Sequence, residues 1–381
     1  MEKPYVIKDQ KKLRCGYTTG TCAAAAAKAA AMMLLGCGHA SYVTVTTPKG
    51  ILAGFCVEDA VKDPEFVSCS VRKDAGDDPD VTHGMKIFAK VKRTKEQRIQ
   101  IDGGIGVGRV TKKGLSCPVG SAAINPVPRA MIEREVKDVC NKLGYGNGLD
   151  VEVFIPDGES IAKRTFNPRL GIEGGLSILG TSGIVEPMSE SAMVDSICLE
   201  MNMMHANGIK TIVFTPGNYG GDFIKKQSDI PENAVLRCSN FIGEGLDHAA
   251  DLKLDGVLLI GHAGKLVKLA GGIMNTHSKY ADCRMEIFAS YAAASGAGKA
   301  IVEELLGCIT ADHALDILEK SGLLVKTMRR ITERIEYHLS ARLNGLVLSG
   351  ALLFSNVYGV LGQTSRVPEL IEHIKTAGGK T

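Results

Sequence analysis

The chain has no tryptophan, and aromatic residues make up only 5% of its 381 positions. Its core must therefore be assembled mainly from Ala, Val, Ile, Leu and Met. No C-x-x-C pair occurs among the eleven cysteines, which lie at positions 15, 22, 37, 56, 69, 117, 140, 198, 238, 283 and 308. An odd and scattered set excludes a disulfide framework and a structural zinc site, and points to reduced cytoplasmic thiols. Charge of one sign is scarce as well. The net charge is +3 with histidine neutral, and the basic residues are dispersed, which excludes the footprint of a nucleic-acid binder. The opening residues, MEKPYVIKDQKKLR, lack the apolar stretch of a signal peptide. Residues 343–362 approach the length of a membrane span but are broken by Asn344, Ser349, Ser355, Asn356 and four glycines. Two core strands, or a strand and a turn, fit them better. No Ser, His and acid are arranged as a visible hydrolase triad. The expectation is a soluble protein without nucleic-acid or membrane partners, with a homo-oligomer left open.

What is present is an ordinary globular mixture, 45% hydrophobic and 23% charged, with an excess of glycine at 44 residues. The glycines cluster, which points to tight backbone turns rather than a flexible linker. The length suits two domains with large cores. Alternating runs at 42–47, 51–57, 66–72, 86–93 and 98–102 read as strands, with a helix over 128–143 and a further strand at 150–155. Residues 1–165 thus read as an α+β domain. Beyond them, Pro187 and Ser189 introduce a helix to about 206. Continuous apolar strands at 209–215, 234–238 and 256–261 then alternate with helices, the pattern of a buried parallel sheet. Residues 166–381 read as an α/β domain, and the whole chain as mixed α/β.

The most informative segment is 13–35, LRCGYTTGTCAAAAAKAAAMMLL, where a Gly- and Thr-rich turn enters an Ala-rich helix. Thr18, Thr19 and Thr21 stand where a helix has unpaired N–H groups and the positive end of its dipole, a place suited to a carboxylate or phosphate. The alternative is a capped core helix with no ligand. Residues 74–80, DAGDDPD, gather Asp74, Asp77, Asp78 and Asp80 without EF-hand spacing. They read as a solvated turn or, with something positive nearby, as a source of a general base.

Three glycine loops stand out: Gly180-Thr181-Ser182-Gly183, Thr215-Pro216-Gly217-Asn218 and Gly261-His262-Ala263-Gly264. The last two follow expected parallel strands, at whose carboxyl ends ligands bind in such sheets. Close helix–sheet packing is the competing reading. Lys265 and Lys268 are three apart and would share a helix face, either a cationic face for a polyanionic substrate or a solvated one. Arg14, Arg129 and Arg169 adjoin Gly or Pro turns, where arginine can grip carboxylates. The run GIGVG at 104–108 continues into strand-like residues and fails as a dinucleotide loop, and Gly264-Lys265 fails as a P-loop ending because Leu259 and Leu266 occupy required Gly and Ser/Thr positions.

Several segments together resemble the cobalt-precorrin-5B C1-methyltransferase family, the CbiD proteins. They are LRCGYTTGTCAAAAAKAA (13–30), DAGDDPDVTHG (74–84), GGIGVGRVTKKGL (103–115), AINPVPRAMI (123–132), TFNPRLGIEGGLSILGTSGIVEPMS (165–189) and GHAGKLVKLAGGIMNTHSKYADCRMEI (261–287). The resemblance implies transfer of a methyl group from S-adenosylmethionine to C1 of a cobalt-bound tetrapyrrole, giving cobalt-precorrin-6A, with cobalt arriving inside the substrate and no metal site on the protein. On that basis the donor is expected against Gly180, Thr181, Gly183, Thr215, Gly217, Asn218, Gly261, His262 and Gly264. Substrate carboxylates are expected on Arg14, Thr18, Thr19, Thr21, Arg129, Lys265 and Lys268. Asp78 and His277 are the candidates for accepting a proton or stabilising charge. The alternatives are a small-molecule phosphotransferase, in which 117–124 (CPVGSAAI) would cradle phosphate, and a non-catalytic tetrapyrrole carrier.

Overall fold

Helix α1 (Thr19–Leu34) explains the alanine run: Cys22, Ala23 to Ala27 and Ala29 to Ala31 are all fully inaccessible. The helix packs against helix α2 (Pro126–Lys142) on one side and a β-sheet on the other. Only methyl-sized side chains let both neighbours approach this closely, and alanine carries the best helix propensity. Lys28 is the polar exception. Its ammonium donates to the Thr44 carbonyl at 2.7 Å and to Glu135 at 2.8 Å.

The computed structural model describes residues 4–217, 219–227 and 230–378. They divide into two units between Glu190 and Ser191. The sheet of the first unit contains β1 (Tyr42–Thr46), β2 (Leu52–Lys62), β3 (Phe66–Arg72), β4 (Lys86–Thr94), β5 (Ile99–Gly103) and β6 (Gly148–Phe154), in the order β1-β2-β3-β4-β6-β5. All neighbours are antiparallel except β5 and β6. The division falls later than the expected boundary near 165. Gly175–Leu176 pairs with Gly106–Val107, and Ile184–Val185 pairs with Gly16–Tyr17, which ties the segment after 165 to the first unit. Two-residue pairings carry no periodicity, so the sequence pattern cannot reveal them.

The second unit is built on β7 (Thr211–Phe214), β8 (Val235–Leu236), β9 (Gly256–His262), β10 (Leu348–Ser355) and β11 (Gly359–Gln363), ordered β8-β7-β9-β10-β11. The first four are parallel and β11 is antiparallel. Residues 343–362 therefore supply a buried strand, β10, and most of an edge strand, β11, rather than a span. Strand periodicity divides the apolar side chains between two cores. Ile212, Phe214, Val257, Leu259, Ala351 and Leu353 meet the helices Arg284–Ala294, Ala311–Lys320 and Leu324–Leu343. Val213, Leu258, Ile260, Leu352 and Phe354 meet Ile224, Leu370 and Ile374 on the opposite face. Both faces of the sheet are covered, which is why its strands read as continuous apolar runs.

Candidate functional site

From β7 the chain moves outward to β8, then returns to β9 on the other side of β7. Connections diverge between β7 and β9, and in an open parallel sheet ligands bind outside the carboxyl ends of the strands at that point. β7 runs there into Thr215-Pro216-Gly217, and β9 into Ala263-Gly264-Lys265. Asn218 lies outside the described residues.

Thr215 is fully buried and spent on the fold: its N–H and hydroxyl both donate to the Leu236 carbonyl, at 2.9 and 3.3 Å. Gly261 is a packing residue, since a Cβ there would lie 3.0 Å from Leu266 and Pro216. Gly217 differs. It sits at φ +80°, and a Cβ would point at the Lys265 ammonium, 3.1 Å away. Lys265 Nζ donates to Asn240 Oδ1 at 2.8 Å, and the same oxygen accepts the Thr276 hydroxyl at 3.2 Å. Burial pushes the Lys265 ammonium below its usual range, and nearby Lys268 adds to the effect.

His262 closes the short helix Ala263–Leu266: its Nδ1 accepts the Gly264 N–H at 3.1 Å. A neutral ring then carries its proton on Nε2. That nitrogen faces Asp312 at 3.6 Å, and Asp312 also accepts the Ser355 hydroxyl at 3.1 Å. The Tyr219 ring stands 6.0 Å from the imidazole. Lys268 does not form a cationic face with Lys265. The helix ends at Leu266, and the tighter turn Val267–Gly271 carries Lys268 inward, where it donates to the carbonyls of Thr276 at 3.1 Å and Ala281 at 2.8 Å. Its ammonium is lowered by burial against the opposing charge of Asp282. His277 is exposed on the following loop, its Nδ1 accepting the Lys279 N–H at 3.1 Å.

In the first unit the start of α1 is closed by the protein itself. The N–H groups of Thr18, Gly20 and Thr21 donate to the Gly183 carbonyl, the Leu179 carbonyl and the Thr18 hydroxyl. Thr21 donates its hydroxyl to the Gly183 carbonyl at 2.8 Å, and Thr19 Oγ1 accepts the Leu179 N–H at 2.9 Å. A Cβ on Gly180 would lie 2.2 Å from Thr18 Oγ1, and one on Gly183 2.8 Å from Thr47 and Pro48. The loop 180–183 is thus the lid of the helix end, with Thr181 exposed on its outer side. The anion-ready helix end expected from the threonines is occupied by backbone of this loop.

The acidic cluster proves to be individually compensated. Arg14 pairs with Asp74 at 2.6 Å, and its backbone N–H donates to Asp77 at 2.7 Å. Asp78 accepts the Met188 N–H at 2.9 Å, and Asp80 pairs with the buried Lys73. Arg129 donates to the Ile101 carbonyl at 2.6 Å. In the run 117–124 the N–H groups of Gly120, Ser121, Ala123 and Ile124 all donate to carbonyls of the protein and are not free to cradle a phosphate. The GIGVG run contains one short strand, Gly106–Val107, and a second, Arg109–Val110, follows it with a separate pairing. Burial pushes the thiols of Cys22, Cys69 and Cys238 up to about 12, far from reactive thiolates.

Asn240, Asp312 and Ser355 had no motif to mark them. Asn240 follows β8 and Ser355 ends β10, so the strand-end rule applied to every strand could have drawn attention to both. Among the described residues no cluster of His, Cys, Asp and Glu is placed to hold a metal ion, and no helix is long and apolar enough to cross a membrane.

The CbiD family model matches residues 6–187, and the model of the CbiD C-terminal domain matches 275–365. A cobalt-precorrin-5B C(1)-methyltransferase of Ruminiclostridium cellulolyticum is 51% identical over 93% of this chain and 92% of its own. One from Alkaliphilus metalliredigens is 47% identical over 99% of both chains. The crystal structure of a cobalamin biosynthesis protein (CbiD) from Archaeoglobus fulgidus aligns with a TM-score of 0.40 and 28% identity, covering 73% of this chain and 86% of that one. With a family match across nearly half the chain at its start, a second near its end, and relatives this similar along its whole length, the chain belongs to the CbiD family.

Proposed function

We propose that this protein is a cytoplasmic enzyme that methylates C1 of cobalt-precorrin-5B with S-adenosylmethionine, giving cobalt-precorrin-6A in anaerobic corrin-ring synthesis. The observation that carries the proposal is the 47% identity to a cobalt-precorrin-5B C(1)-methyltransferase over 99% of both chains. The crevice between β7 and β9 supports a donor site. Gly217 leaves space that any side chain would fill, and Gly264, His262 and Lys265 line the same strand ends. Thr215 and Gly261 serve the packing of those strand ends, the first by donating its hydroxyl to Leu236 and the second by lying against Leu266 and Pro216.

When bound, S-adenosylmethionine supplies a methyl group already activated on a sulfonium. The residues around it then have to orient the reactants and exclude water, and orientation of this kind contributes roughly 7–11 kcal/mol. In the first unit Arg14, with its side chain 40% exposed, is proposed to meet a substrate carboxylate. Arg129 is half-buried and could do so only with the guanidinium nitrogens left over from its bond to Ile101. His277, exposed and with Nδ1 already accepting a bond, and Asp78 are proposed as proton acceptors.

Purified protein incubated anaerobically with S-adenosylmethionine and cobalt-precorrin-5B is expected to yield a macrocycle heavier by one methyl group in mass spectrometry. Macrocycle binding without turnover would instead establish a carrier, and ATP binding without donor binding a phosphotransferase.

A further inference from the structure

Lys265 stands out among the polar groups at the strand ends of the second unit. Its neighbour Lys268 is compensated by two carbonyls and by Asp282 at 3.8 Å. The Lys265 ammonium is half-buried, and no carboxylate lies within ion-pair distance of it among the described residues. Among the described residues its acceptor is Asn240 Oδ1, at 2.8 Å, and the Thr276 hydroxyl donates to the same oxygen at 3.2 Å. An ammonium has three donors, so two remain for a ligand. Gly217, in a left-handed conformation, keeps the space beside Nζ clear. The result is a half-buried, positioned positive charge at the divergence point of the sheet, with no carboxylate paired to it among the described residues. Burying such a charge is costly unless something negative arrives.

We propose that Lys265 anchors the carboxylate of the methyl donor's amino-acid end, and that Asn240 is the positioning residue that aims its ammonium. This rests on the donor site proposed above. The macrocycle also carries carboxylates, so the same chemistry has two possible sources, and the donor is favoured because the charge lies at the strand ends where a cofactor-sized ligand enters this type of sheet. The depressed basicity of Lys265 agrees with an ammonium that lacks an anionic partner until the ligand binds.

The test uses two thioethers that share the adenosine portion. S-adenosylhomocysteine carries the amino-acid carboxylate, and 5′-methylthioadenosine lacks it. Calorimetric titration of the full chain is expected to show that Lys265→Gln weakens S-adenosylhomocysteine about 10- to 100-fold, the range for one charge-assisted hydrogen bond, with 5′-methylthioadenosine unchanged. Asn240→Asp places an internal carboxylate on Lys265 and is expected to give the same selective loss in a protein that retains its ion-paired lysine. Equal losses for both thioethers, or none for either, would overturn the anchor. Loss of cobalt-precorrin-5B binding with S-adenosylhomocysteine unaffected would overturn it too, by assigning Lys265 to the macrocycle. If the unsubstituted protein binds neither thioether, the donor-site reading falls and the anchor with it.

Discussion

Replacing Asp80 with asparagine leaves a buried lysine without its counter-charge. The Lys73 side chain is 2% exposed and that of Asp80 23%. The other Asp80 oxygen accepts the Thr82 N–H at 2.8 Å and its hydroxyl at 2.6 Å, contacts that asparagine can keep. Breaking a buried ion pair from one side costs about 3–5 kcal/mol, because the remaining charge is stranded away from water. The partial exposure of Asp80 places the expected loss at the low end, near ~3 kcal/mol. Lys73→Met removes the buried charge itself and leaves Asp80 with Thr82 and water, so its expected cost is smaller, about 1 kcal/mol. The double variant is expected to be more stable than Asp80→Asn alone.

Urea unfolding followed by circular dichroism measures all three, and a loss of this size lowers the midpoint by about 1 M or more. The pH dependence gives an independent check. Burial alone would raise the Asp80 carboxyl, but the charge of Lys73 and the hydrogen bonds from Lys73 and Thr82 outweigh it and hold the group below its ordinary value. The unfolded chain then binds the proton more readily in acid. The stability Asp80 contributes is complete above its unfolded pKa of about 4 and is lost as pH falls through the lower folded value. The difference between parent and Asp80→Asn should therefore shrink below about pH 4. Equal losses in the two single variants, or a loss under about 1 kcal/mol for Asp80→Asn, would refute the idea that the pair is energetically buried.

Two further substitutions probe the packing that closes α1. Gly180→Ala places a Cβ 2.2 Å from Thr18 Oγ1 at a backbone φ of +139°, and is expected to cost about 1–3 kcal/mol by thermal unfolding; an unchanged midpoint would show that the loop does not sit on the helix end. Ala26→Leu adds three carbons at a fully inaccessible position and is expected to destabilise by at least about 1–3 kcal/mol, whereas a neutral outcome would mean that α1 is less tightly enclosed than its burial indicates.

The elements with strong periodicity were legible without a structure. The strands 42–46 and 66–72, the helix 126–142 and the apolar strand 256–262 all fall within a few residues of where alternation and turn residues put them. The loops after β7 and β9 could be named because a parallel sheet was expected and its strand ends are where ligands enter. Chemistry at single positions was not legible. Gly217 and Gly261 look alike in sequence, yet one opens space beside a lysine while the other fills a gap between Leu266 and Pro216. Lys265 and Lys268 share helical spacing, but the break after Leu266 sends one to the crevice and the other into the interior.

The sequence by itself determined the family, the mixed α/β class and the alanine-lined helix, because these depend on local periodicity, side-chain size and runs of residues held in order along the chain. Only the tertiary structure decided that the chain divides at 190, that the threonine end of α1 is closed by a loop some 160 positions away, at Leu179 and Gly183, and that among the described residues Lys265 meets an amide oxygen rather than a carboxylate. Each of those depends on which distant backbone N–H, carbonyl or charge arrives beside a group. Hydrogen bonds and ion pairs act over a few ångströms in space and leave no trace in the spacing of residues along a chain.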